Sequence, residues 1–200
     1  MIFKELDPFR GDARDVAARL VADRMAYYLR RYYRRSHDID VLNHLHVPSG
    51  NSVARVDHLL LHSHGLLLIS RLAGSDGLRI DGDGHWQRLD HGQLVGIGSP
   101  ITYAYVQGLL LKSFLDRSVQ QRGFFDQVEI DVLVVVQDEV DITWPVSGAL
   151  AEVCKREEVF DRVTRRLDQC RASATEPGPL TQTERQLLAD FLCRSHRPGA

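Results

Sequence analysis

RVDHLLLHSHGLLLISRLAG, residues 55 to 74, sets one acid in an apolar run, turns at Ser-His-Gly, and returns along a second apolar run that carries no acid. Each run is rich in Val, Ile or Leu and is bounded by turn-forming residues, which predicts two strands. Just upstream, IDVLNHLHV ends at another turn, PSGN, so three consecutive strands form an antiparallel meander. Strand side chains alternate with a period of two, so register decides which residues of the second strand share a face with Asp57.

Working outward, DARDVAARLVADRMAYYLRRYYRR follows Gly11 and brings Val16, Leu20, Met25 and Leu29 together at helical spacing, with Asp12 and Asp15 in the first turn. Anions are stabilised there by the helix dipole. Beyond the meander, residues 75 to 99 are thick with Gly and Asp and predict only a weak strand pair, Leu78 to Ile80 and Trp86 to Leu89, at the sheet edge. Pro100 suits a helix start for ITYAYVQGLLLKSFLDRSVQ, and QVEIDVLVVV is the best buried strand of the chain. The expected core is therefore α-β-β-β-α-β with a mixed sheet, over residues 11 to 140. Residues 141 to 200 form a mostly helical extension packed on the same domain, KREEVFDRVTRRLDQC and TQTERQLLADFLCRS, with Thr181 and Glu184 as a capping box at the second.

Composition narrows the function classes. At 200 residues and 44% hydrophobic the chain fits one compact domain, and a net charge of -2 means that nucleic-acid binding would rest on a local basic face. The three cysteines make neither a CxxC nor an even framework, which excludes a zinc ribbon and suggests reduced thiols in the cytoplasm. No apolar run reaches the roughly 20 residues of a membrane span, so no membrane partner is expected.

Hydrolysing a phosphodiester with a metal needs carboxylates to fix Mg²⁺ and a cation to offset developing charge. An acid on one strand, with an acid and a lysine two residues apart on the next, would meet that need on one face. Asp57 fills the first role, but the positions that should converge with it are Ser70 and Leu72. The stretch from 55 to 74 resembles the nuclease-related domain (NERD) family, a branch of the PD-(D/E)xK endonuclease-like fold. In that pattern an apolar-Asp-His strand and a glycine turn lead to an apolar strand ending in Glu-x-Lys. Asp57, His58 and Gly65 match. GDARDVAARL is similar to the family's helix opening, with Asp15 where glutamate is usual; Trp86 fits the family tryptophan; and SPITYAYVQ resembles its Asn-Pro-x-x-Gln-Ala helix start, with Tyr103 at the glutamine position.

The resemblance implies a restriction-endonuclease-like fold and DNA processing, yet Ser70, Leu72 and Tyr103 are degenerate positions and only Asp57 and the remnant Asp15 keep their charge. The expectation is a catalytically degenerate domain, a pseudoenzyme acting as a nucleic-acid-associated or regulatory binding module, with no resident cofactor and no metal beyond what Asp57 alone could hold. One alternative is an active Mg- or Mn-dependent DNA endonuclease with relocated residues, where Gln107, one helical turn after Tyr103, is the rescue candidate. The other is a protein–protein interaction module, binding a partner or a second copy through the former active face. Arg30, Arg31, Arg34 and Arg35 stand among four tyrosines at the end of the first helix and, with Arg55 and Arg71, are the candidate nucleic-acid contacts; the competing reading is helix-terminal cations with tyrosines packed at the helix edge. His44 and His46 share one strand face and His58 and His62 another, a Zn²⁺ or Ni²⁺ site if those faces coincide and ordinary sheet histidines otherwise.

Overall fold

The computed structural model describes residues 1–9, 11, 16–72, 76–119, 123–173 and 178–198, except for the side chain of residue 173. The elements run β1 (Ile2–Lys4), α1 (Val16–Tyr33), β2 (Asp40–Ser49), β3 (Ser52–His62), β4 (Gly65–Leu72), β5 (Gly77–Ile80), β6 (Trp86–Asp90), β7 (Gln93–Ile97) and α2 (Pro100–Ser118). They continue with β8 (Glu129–Val136), β9 (Asp141–Thr143), β10 (Val153–Lys155), α3 (Val159–Ser173) and α4 (Gln182–Ser195). Within this order lies the α-β-β-β-α-β core that the sequence predicts.

The main sheet has six strands in the order β1-β2-β3-β4-β8-β10. It is mixed: β2, β3 and β4 are antiparallel neighbours, whereas β4 pairs parallel with β8, and β8 with β10. Gly65 opens β4 where the hairpin turn meets β8. A Cβ there would lie 2.3 Å from the Glu129 carbonyl oxygen, so only glycine fits.

Helices cover both faces. On one, Met25, Leu29 and Tyr33 of α1 pack on Val41, Leu60, Leu67, Ile69 and Leu133. Val16 and Leu20, expected on that stripe, are 42% and 62% exposed, because the buried face of α1 begins only at Ala22. On the other face, Ala104, Leu111 and Leu115 of α2 meet Leu59, Leu66, Leu68 and Val132, and Leu188, Ala189 and Leu192 of α4 join the same cluster. Contact there is close, since a Cβ on Gly108 of α2 would lie 2.6 Å from the Ile130 methyl. Thr181 and Glu184 form the expected capping box.

The strand pair after β4 does not extend the main sheet. It belongs to a separate four-stranded sheet, β7-β6-β5-β9, whose Leu78, Ile80 and Trp86 pack with Val134, Val136 and Val153. β1, β9 and β10 are three residues each, too short to give a readable alternation, and none was expected. Among the described residues, no helix is long and apolar enough to cross a membrane.

Candidate functional site

The site region is set by a roll shared between β2 and β3. Leu42 and Leu45 both pack in the α2 cluster, and so do Val56 and Leu59, although residues three apart on an unbroken strand face opposite sides. His44 marks the place with a left-handed φ of 53°. Pairing runs to Asn43↔His58 and resumes at Leu45↔Val56. The step turns Asn43 and His44 of one strand, and Asp57 and His58 of the other, away from the α2 cluster.

This roll alters the expected meeting of Asp57 with Ser70. The β3–β4 register extends to His58↔Ile69. One step beyond, the Asp57 carboxylate instead accepts the Arg71 backbone N–H at 2.9 Å on Oδ2 and the Arg71 guanidinium at 2.9 Å on Oδ1. A second Arg71 amino group donates to the Ala18 carbonyl of α1 at 2.8 Å. Along β4, Leu66 and Leu68 belong to the α2 cluster and Leu67 and Ile69 to the α1 cluster. Alternation therefore puts Ser70 and Leu72 on the α2 side, with Leu72 against the second sheet, and Arg71 with Asp57 on the α1 side. The expected single face of Asp57, Ser70 and Leu72 is corrected by the roll.

Burial alone would raise the Asp57 pKa, but the Arg71 charge, His58 and the hydrogen bonds from Arg71 outweigh it and hold the carboxyl below its ordinary value. The pair is largely out of water, at 27% side-chain exposure for Asp57 and 15% for Arg71. A divalent ion needs several oxygen ligands. Here one carboxylate is already capped by a guanidinium and an N–H, and the neighbouring positions offer a serine and a leucine on the other face. Around Asp57, the described residues do not supply the set of oxygen ligands that Mg²⁺ or Mn²⁺ takes. Asp15 lies outside the described residues.

Gln107 has another occupation than rescue: it is buried in α2, and its Oε1 accepts the Arg55 backbone N–H at 2.7 Å. Tyr103 is 53% exposed in the first turn of α2, next to the Ser99 cap and Pro100. Arg71, expected as a nucleic-acid contact, is instead consumed by Asp57 and Ala18. Arg30 pairs with Glu5 at 2.8 Å. Arg31 shares a shallow cleft with Tyr28 and Tyr32, and Arg34, Arg35 and Arg55 are exposed.

The histidines divide. His58 is fully buried and bonded through Nδ1 to the Asn43 side chain at 2.8 Å, and His62 Nδ1 accepts the His64 N–H at 3.3 Å. Neither joins His44 and His46 in a set of metal ligands. Among the described residues, Asp81, Asp83 and His85 form the one group whose ligand atoms lie within 4.8 Å of one another. That turn is closed on itself, with Asp81 accepting the N–H groups of Asp83 and His85.

A polar cluster that the sequence reading missed centres on Asp7. Its carboxylate meets Lys4 Nζ at 2.9 Å, His44 Nδ1 at 2.8 Å and His196 Nε2 at 3.0 Å. Burial opposes the charge, yet the bonds from Lys4 and His44 hold its pKa down to about 2. The cluster borders a cleft of about 430 Å³ walled by residues 6–9, the first turns of α1, His44, His46, Arg71 and Pro198. No local pattern betrays it, because Asp7, His44 and His196 meet only through tertiary folding.

Comparison with known proteins gives one family: the family model described as nuclease-related domain matches residues 15–137, more than half of the chain. No curated protein and no solved structure matches.

Proposed function

We propose, from the premise that the chain belongs to the nuclease-related domain family, that it is a non-cleaving member serving as a nucleic-acid-associated binding module. The observation that carries this reading is the Arg71 cap on Asp57. The charge that a metal would neutralise is already neutralised from within the chain. Removing groups that stabilise a transition state costs on the order of 3 kcal/mol each, about a hundredfold in rate, and both the Ser70 and Leu72 positions have lost theirs.

Binding is assigned to the far end of α1, where Arg31 stands between Tyr28 and Tyr32 and is followed by exposed Arg34 and Arg35. Arginines there can take phosphates, and the exposed Tyr32 ring, stacked by one face on Phe160 at 3.8 Å, leaves its other face for an unpaired base. Along the helix this end is about 20 Å from Ala18, so binding and the former metal site are separate surfaces.

The test is an assay on plasmid and single-stranded DNA with Mg²⁺ or Mn²⁺, paired with a binding titration. The expected result is no cleavage, with salt-dependent binding that weakens when Arg31, Arg34 and Arg35 are replaced by alanine. Cleavage that disappears in Asp57→Ala would overturn the reading in favour of an active endonuclease. A second reading has one specific support: Tyr103, Val106 and Leu109 on α2 are 53%, 45% and 59% exposed, an apolar stripe suited to a protein partner. DNA binding that is absent, or indifferent to the arginine replacements, favours that reading.

A further inference from the structure

After α4 the chain crosses back over β2. The Arg197 N–H donates to the His46 carbonyl at 2.9 Å, and the His46 N–H donates to His196 Nδ1 at 3.0 Å. The same His196 ring reaches Asp7 through Nε2, at 3.0 and 3.2 Å to the two carboxylate oxygens, and only 7% of its side chain is exposed. One imidazole thus joins the tail, β2 and the segment after β1. All three, the tail at Pro198, β2 at His44 and His46, and residues 6–9, wall the 430 Å³ cleft.

The ring's two nitrogens have fixed and opposite tasks. Nδ1 accepts from an N–H, so it must carry a lone pair, and Nε2 faces a carboxylate, so it must carry the proton. That is the neutral ring in one tautomer. A second proton on Nδ1 would face the His46 N–H donor at 3.0 Å and destroy the bond. We propose that residues 196–198 are a pH-sensitive strap over this cleft, held on β2 while the His196 ring is neutral and released from it when the ring is protonated.

The surrounding charges agree with release. Lys4 from β1 and Asp7 face the ring directly, His44 and His46 come from β2, Arg55 from β3 lies near His46, and Arg194 and Arg197 flank His196 on its own segment. His46 and His196 have ring centroids 5.8 Å apart, and His44 and His46 4.5 Å, so successive protons gather in one place with Asp7 as the near counter-charge. Burial first, then Lys4, keeps His196 below its ordinary 6.5, with Asp7 opposing. A released ring regains its ordinary affinity for protons. Acid therefore favours the open strap, beginning as pH falls below 6.5.

The experiment follows two nuclei in the full chain by NMR between about pH 7.5 and about pH 5: the His196 ring signals and the exchange protection of the Arg197 amide, corrected for intrinsic rate. In the wild type, protection should fall about tenfold, with a midpoint that coincides with the ring titration. His196→Gln keeps one acceptor and one donor at matching places but cannot titrate, and should keep its protection across the range. Protection that persists while the wild-type ring titrates, or that is lost equally in His196→Gln, would overturn the strap. If the variant does not fold, the wild type still decides, because ring and amide midpoints separated by more than about one pH unit exclude the coupling.

Discussion

The two faces of the central sheet treat charge in opposite ways where β4 ends. On the α1 face, Asp57, Arg71, His58 and Asn43 are polar, buried or half-buried, and bonded to one another in pairs. On the α2 face stand Ser70 and Leu72, and a buried polar group of α2, Gln107, is spent on a backbone N–H. The Asp57 charge on the α1 face is not left alone. It persists because a neighbour answers it, and here the answer is a guanidinium from the adjacent strand.

The largest expected effect belongs to the α1 face and to pH. His46 and His62 are pushed down to about 4, and His58 to about 3, in each case by burial first. All three are neutral when folded, so the unfolded chain takes up protons first and stability falls as pH drops below 6.5 toward 4. Each buried imidazole adds a slope of up to about 1.4 kcal/mol per pH unit in that window. Urea denaturation at several pH values reads it directly, and a flat profile above pH 4 would mean that these rings charge freely in the folded state.

Next in size is Arg71→Leu, which removes the guanidinium from the Asp57 carboxylate, leaves it only the backbone N–H at position 71, and should cost about 3 kcal/mol. Adding Asp57→Leu should recover much of that loss, since an apolar pair can replace an ionic one. A cost below about 1 kcal/mol in the single variant would show a solvent-relaxed pair and reopen the question of an accessible carboxylate.

The α2 face should respond more weakly. Gln107→Ala leaves the Arg55 N–H without its acceptor and should cost about 1–2 kcal/mol. Smallest of all should be the gain in metal binding from Ser70→Glu with Leu72→Lys and Tyr103→Gln, because the new groups sit on the face opposite Asp57. Calorimetry with Mn²⁺ should show no tight site. A tight site that vanishes on adding Asp57→Ala would prove that the two faces can still communicate around the end of β4.

Much of the frame was legible because long, strongly patterned segments dominate it. Met25 and Leu29 gave the buried stripe of α1, the runs at 55–72 gave the paired strands, and Thr181 with Glu184 gave the start of α4. The site was less legible. Period-two counting through Asp57 assumes an unbroken strand, and nothing in NHLH announces that His44 adopts a left-handed backbone and rolls both strands. Arg71 looked like a free cation because its partner lies on the next strand and its second contact is a helix carbonyl. The Asp7 cluster was hidden for the same reason: its members are brought together by β1, β2 and the end of α4, which no local window spans.

Gly65 has a consequence in the order of assembly. The β3–β4 hairpin closes a loop of a few residues and can form early, whereas β8 must return from some sixty residues away, a slower closure. When it arrives, it runs against the hairpin turn so tightly that the Glu129 carbonyl occupies the space of an absent side chain. The hairpin thus keeps a vacancy for a strand that comes from far along the chain, and a glycine sets the point at which the two halves of the core join.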